Sequence, residues 1–153
     1  MDARIVNALL SAVVSTFTQV VHQKPIMEKP KVVKEITPKF EIITVIGFVG
    51  DLEGNVIYSF AEETALKVIS EMMGGMPYNQ FDELALSALG ELGNMTTGAL
   101  AINLEKVGIK VDLTPPTVVT GKDIKVGVDG IILNFPVNLF SQDDVELNLV
   151  LKK

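Results

Sequence analysis

Residues 79–107 constrain the fold more than any other part of the chain, because they read as one helix of about 40 Å at 1.5 Å per residue. Asn79 is the expected cap, Asp82 and Glu83 occupy the first turn where acids suit the helix dipole, and Lys106 and Gly108 close it. An element of that length dominates a 153-residue chain and needs a sheet to lie against. A shorter helix is predicted ahead of it: Ser59 and Glu62 have capping-box spacing, and Gly74, Gly75 and Pro77 stop the run after Met73. A first helix is predicted from the cap Asp2 to a point before Pro25. Its apolar face is Ile5, Leu9, Ala12, Val13, Phe17 and Val20, with Asn7, Ser11, Ser15 and Thr18 aligned as a polar stripe.

Residues 40–49 are rich in isoleucine and valine, and after the turn-like 50–54 the chain resumes at 55–60, which predicts a β-hairpin. Further short strands are predicted at 109–113, 117–119, 124–128, 131–135 and 145–151. Between Lys24 and Lys39, five lysines alternate with Glu28, Glu35 and three prolines. That is the composition of a solvated connector leading into an edge strand, since lysine and proline blunt sheet edges. The order of elements gives one α+β domain over 1–153, a mainly antiparallel sheet packed against long helices.

Weak internal echoes divide that domain in two. Leu10-Ser11-Ala12 recurs as Leu86-Ser87-Ala88 and the strand led by Gly54 recurs after Gly130, both at an offset of 76 (87 − 11 and 130 − 54). Thr37-Pro38 and Thr114-Pro115 follow at 77 (114 − 37). The expectation is two pseudo-repeated halves, in which Ser15 and Thr18 stand where Glu91 and Asn94 stand. Chemistry carried by Glu91 and Asn94 is then expected in the second half alone.

Composition excludes several function classes. Acids outnumber bases 19 to 13, for a net charge of −6, so a nonspecific grip on nucleic acid or an anionic membrane would work against repulsion. With no cysteine and a single histidine there is no thiolate or multi-histidine metal site. The longest apolar run, 42–50, is nine residues, against the roughly 20 of a bilayer-spanning helix. The expected location is the cytoplasm.

The long helix carries the chemistry. Leu89, Leu92, Met95, Ala99 and Leu100 gather on the side expected to meet the sheet. Ser87, Glu91, Asn94 and Gly98 project together from the other, with only Gly90, Thr97 and Ala101 beside them. A solvated helix face ordinarily carries long lysines, glutamates and arginines; this one sets small residues around one carboxylate and one carboxamide. Gly90, Gly93 and Gly98 each cost about 1 kcal/mol relative to alanine, so a close approach must offset them. For Gly93 the expectation is packing of another backbone, from the first helix or a second copy. For Gly90 and Gly98 two readings stay open: internal packing, or space kept clear for another macromolecule.

The run Ser87-x-x-x-Glu91-x-x-Asn94, followed about twenty residues later by Pro115-Pro116, resembles the signature of the CheC/CheX/FliY family of chemotaxis phosphatases. The likeness covers essentially the whole chain, and Pro116 is the proline assigned to the signature. A single copy of the signature, with Met72-Met73-Gly74-Gly75 ahead of it, is similar to the one-site CheX branch. The resemblance implies a CheC-like fold, a homodimer, and hydrolysis of the aspartyl phosphate of a CheY-type response regulator. It implies no cofactor of the chain's own, the regulator supplying Mg²⁺ and a lysine. Asn94 would orient the attacking water and Glu91 would pair with the regulator's lysine, while Ser87, Gly90, Gly98 and Pro116 would border the partner.

The chemistry of the residues suits that task. Phosphoryl transfer depends mainly on positioning and charge stabilisation, and a carboxamide can accept a hydrogen bond from water while its NH₂ donates to a phosphoryl oxygen. The alternative is a non-catalytic regulator-binding module of a motor or scaffold. Elsewhere, His22 reads as a helix-terminus residue, Met72, Met73 and Met76 as core filler near a turn, and Asp51, Glu53 and Asn55 as turn chemistry. Ser87 has no base nearby to activate it.

Overall fold

A computed structural model describes residues 2–140 and 143–152. In chain order the elements are α1 (Ala3–Val20), β1 (Ile26–Met27), β2 (Lys31–Val33), β3 (Ile42–Gly50), β4 (Gly54–Phe60), α2 (Glu62–Met72), α3 (Glu83–Glu105), β5 (Val111–Leu113), β6 (Thr117–Thr120), β7 (Ile131–Asn138) and β8 (Asp143–Leu151). All the strands join one antiparallel sheet. Its central pair is β4 and β8, with Ile57 opposite Asn148. β3 and β7 flank that pair; β5 and β6 line the outer edge of β3, and β1 and β2 the outer edge of β7. The lysine-rich connector therefore does run along a sheet edge.

The halves are built alike and exchange their short strands. Each is a long helix, two short strands and a hairpin, and the short strands of each half pair with the hairpin of the other. The string matches do not follow this symmetry. Gly54 opens β4, whose counterpart is β8, whereas Gly130 precedes β7, the counterpart of β3. Thr37-Pro38 follows β2, whereas Thr114-Pro115 precedes β6, the counterpart of β2. On the helices the comparison holds better: Ser15 and Thr18 are exposed on α1, in the phase that Glu91 occupies on α3.

Both faces of the sheet are covered, which is why β3 reads as a continuous apolar run rather than an alternating one. Thr44, Ile46 and Phe48 face the main core with Tyr58, Phe60, Phe135 and Leu147, under α1, α2 and α3. Ile43, Ile57, Ile132 and Val150 face a smaller core closed by Ile36, Ile124, Val126 and Val128. The predicted strand at 124–128 is absent: that stretch packs over the back of the sheet, and its one bridge, from Val126, goes to Ile36, which itself lies outside the strands. Helix α1 is long and apolar enough by length and composition to cross a membrane. Its apolar face, with Leu9, Ala12, Val13 and Phe17 fully buried, is instead spent on the core, and the stripe from Asn7 to Thr18 faces outward.

Two helix starts differ from expectation. Ser59 is no cap: its Oγ donates to the Phe40 carbonyl and accepts from the Phe40 amide, both at 3.1 Å, and α2 starts from Ala61 without a side-chain cap. It ends at Met72, followed by Gly74 and Gly75 at φ 78° and 86°, a conformation glycine adopts without strain. Met72 and Met73 are half-buried against the core, but Met76 is 65% exposed and fills nothing. Helix α3 starts at Glu83 rather than at Asn79, because Asp82 takes the cap. Its 23 residues span about 35 Å.

Candidate functional site

The site is built on α3 and begins with its cap. A carboxylate oxygen of Asp82 accepts from the Ala85 amide at 3.0 Å, and the Tyr78 hydroxyl donates to both carboxylate oxygens at 2.5 Å. The hydroxyl of Tyr78, helped by the Ala85 amide, holds the Asp82 carboxyl below its ordinary value, and the same carboxylate raises the Tyr78 phenol. A negative charge is thereby fixed where the helix leaves four amides without intrahelical partners.

Further along, α3 lies unusually close to the sheet. A β-carbon on Gly93 would come within 2.9 Å of Thr44 Cγ2 and 3.1 Å of Ile46 Cδ1. This glycine thus answers to side chains of β3, not to the backbone of α1 or of a second copy. Thr97, expected on the outer face, is fully buried: its hydroxyl lies 2.7 Å from the Tyr58 hydroxyl and donates to the Gly93 carbonyl at 2.8 Å. Met95, expected on the sheet side, is 39% exposed. With small residues turned inward the helix can sink, and bulk such as Leu84, Met95 and Ile102 is left outside.

Ser87 and Glu91 are exposed on the outer ridge, and Asn94 and Gly98 are half-buried beside it. Glu91 and Asn94 are three residues apart, a rise of about 4.5 Å. No side-chain hydrogen bond or ion pair among the described residues engages either one. Nothing lies within 4 Å of a β-carbon placed on Gly98, so that part of the ridge is open. Gly90 is different. It is buried, and its β-carbon would meet Val118 Cγ2 at 3.5 Å and Pro116 Cγ at 3.6 Å. Gly90 thus packs against Pro116 and Val118 of its own chain and also lines the groove they border.

Pro116 is set in place by the residues before it. The Thr114 hydroxyl accepts from the Gly47 amide at 2.8 Å and donates to the Gly47 carbonyl at 3.3 Å, fastening the β5–β6 turn to β3. Pro116 then faces α3 across an open groove of about 450 Å³ lined by Leu86, Ser87, Gly90, Glu91, Pro116 and Val118. Glu91 stands inside this groove and Asn94 one turn beyond it. Of the two adjacent prolines, Pro116 is the one that lines this groove. The sequence alone offers no sign of Tyr58, Thr44 or Thr114 in this arrangement, since each reads as an ordinary strand or turn residue.

The helix offers an exposed carboxylate able to meet a cation and, half-buried beside it, an amide able to hold water against a phosphoryl group. No group of three or more histidine, aspartate or glutamate side chains able to hold a metal ion occurs among the described residues. His22 sits exposed just past α1 with φ 63°, consistent with a terminus residue.

Comparison with known proteins gives one consistent result. The family model described as chemotaxis phosphatase CheX matches residues 42–135. The CheY-P phosphatase CheX of Thermotoga maritima is 55% identical over 152 residues, covering 99% of this chain and 98% of that protein. Among solved structures, the chemotaxis protein CheX from Vibrio vulnificus superposes with a TM-score of 0.86 at 26% identity, over 98% of this chain and all of the other. CheX in the CheX–CheY–BeF3–Mg²⁺ complex from Borrelia burgdorferi gives 0.82 at 26% identity, over 97% of each chain. With this fold and an outward Glu91–Asn94 ridge beside Pro116, the chain belongs to the CheX family of chemotaxis phosphatases.

Proposed function

We propose that this protein hydrolyses the aspartyl phosphate of a CheY-type response regulator, Asn94 orienting the water and Glu91 pairing with a lysine of the regulator. The observation that carries this reading is the unpartnered Glu91–Asn94 pair on the outer ridge of α3, beside the Pro116 groove. The Thermotoga relative is named a CheY-P phosphatase, and the Borrelia relative was captured with CheY, BeF3 and Mg²⁺.

In the proposed step α3 lies over the regulator's phosphorylated aspartate. The Asn94 carbonyl accepts a hydrogen bond from a water held in line with the phosphorus, and its NH₂ donates to a phosphoryl oxygen. As the water oxygen bonds to phosphorus, the bond from phosphorus to the aspartyl oxygen breaks, and the products are inorganic phosphate and the free carboxylate. The Mg²⁺ and lysine of the regulator neutralise charge on the phosphoryl group. Glu91 serves as an anchor: an anion next to a phosphate is unfavourable unless a cation lies between them. Ser87, Gly90, Gly98 and Pro116 border the docked regulator, in the cytoplasm. Phosphate release from a purified phosphorylated regulator, with and without the protein, tests the reading. Acceleration supports it, whereas a stable complex that protects the phosphoryl group indicates a non-catalytic binder.

The quaternary reading is a homodimer joined at a sheet edge. Ile26 and Val32, on the β1–β2 edge, are 63% and 74% exposed, which is unusual for apolar strand residues. Light scattering at micromolar concentration distinguishes dimer from monomer.

A further inference from the structure

Helix α3 must hold Glu91 and Asn94 at a fixed height and rotation above the sheet, yet most of its contacts are apolar and could slide. Two are not. Asn103 Nδ2 donates to the Ala8 carbonyl of α1 at 3.1 Å, and among the described residues a single side-chain hydrogen bond joins α3 to the sheet: the pair between Tyr58 of β4 and Thr97 of α3, at 2.7 Å and fully buried. Its direction follows from proton counting. The Thr97 hydroxyl has one proton, which it gives to the Gly93 carbonyl at 2.8 Å, so Tyr58 is the donor to Thr97. The Gly93 carbonyl belongs to the peptide group whose nitrogen is that of Asn94. A chain of two hydrogen bonds therefore runs from the centre of the sheet to the backbone of the residue assigned to orient water. Beside it, Thr44 and Ile46 leave no room for a β-carbon on Gly93.

Resting on the functional reading above, we propose that Tyr58, acting through Thr97, is a positioning residue for hydrolysis: it fixes the rotation and axial setting of α3 and so the aim of Asn94. Hydrogen bonds are directional where dispersion contacts are not, and displacement of a positioning group by about 1 Å is enough to cost up to 10²-fold in rate. The ring of Tyr58 fills core space and its hydroxyl sets the helix, so the two roles can be separated by substitution.

Tyr58→Phe keeps the ring, Thr97→Val removes the acceptor, and Thr97→Ser retains it. Steady-state phosphate release should show kcat falling on the order of tenfold in Tyr58→Phe and in Thr97→Val, with KM for the phosphorylated regulator nearly unchanged. The double variant should be no slower than either single one, and Thr97→Ser should keep most of the wild-type kcat. Wild-type kcat in folded Tyr58→Phe would overturn the assignment, as would a loss that vanishes on correction for the folded fraction by circular dichroism. If the wild-type protein itself releases no phosphate, it is the functional reading that fails. The positioning claim is then judged by NMR, where the Asn94 and Glu91 backbone amides should shift in Tyr58→Phe and unmoved amides would refute it.

Discussion

Pro116 closes over Gly90: its Cγ lies 3.6 Å from where a β-carbon on that glycine would stand, an ordinary van der Waals separation. Three glycines on one helix thus answer to three different surroundings, and alanine should tell them apart. Gly90→Ala and Gly98→Ala should each be neutral or stabilising by up to about 1 kcal/mol, since helix propensity improves and no neighbour must move. Gly93→Ala should destabilise by roughly 1–3 kcal/mol, because its methyl would press on Thr44 and Ile46 under a helix already at contact distance. Urea denaturation of the three variants ranks them directly.

Among the described residues, the Thr44 hydroxyl is the one side-chain polar group fully shut off from solvent without a hydrogen-bond partner, and it lies directly beneath Gly93. Replacing an unsatisfied hydroxyl by a methyl group of similar shape removes a desolvation cost. Thr44→Val should therefore raise the unfolding free energy by about 1 kcal/mol, with kcat unchanged, as read by denaturant melts and phosphate release.

The cap of α3 gives a pH dependence with a defined sign. Hydrogen bonds from Tyr78 and from the Ala85 amide hold the folded Asp82 carboxyl below its ordinary value of 3.8. Its contribution to stability is then fully present above 3.8 and is lost as pH falls below that, through the folded value. In Asp82→Asn this acid-side decline in melting temperature should be shallower than in wild type. Tyr78 contributes with the opposite sign: its phenol is raised from 10.0 by Asp82, so its share is present below pH 10.0 and is lost as pH rises through the folded value. Tyr78→Phe should accordingly flatten the alkaline limb. Melting temperatures measured from pH 2 to 12 test both.

How much of this was legible in the sequence depended on whether a helix or strand obeyed its usual period. Helix α1 did, so its polar stripe at Asn7, Ser11, Ser15 and Thr18 and its buried face were readable. The hairpin of β3 and β4 was readable from two aliphatic runs around a turn. Helix α3 kept Leu89, Leu92, Leu100 and Leu104 in the core as the usual rule has it, but departed from that rule at other positions. It approaches the sheet so closely that Gly93, Thr96 and Thr97 face the core while Leu84, Met95 and Ile102 do not, and hydropathy accordingly misplaced Thr97 and Met95. Ser59 was spent on Phe40, and the run 124–128 on covering the back of the sheet, through contacts distant in sequence that no local pattern records. The Glu91–Asn94 spacing survived all of this because it depends on helix geometry alone.

The most direct test is single-turnover hydrolysis of a phosphorylated regulator at saturating concentration, with binding measured in parallel for Asn94→Ala and Glu91→Ala. If Asn94 orients the water, Asn94→Ala should lose roughly 10²-fold in rate while binding the regulator as wild type does, and Glu91→Ala should lose both affinity and rate. Equal rates for wild type and Asn94→Ala at saturation would contradict the account.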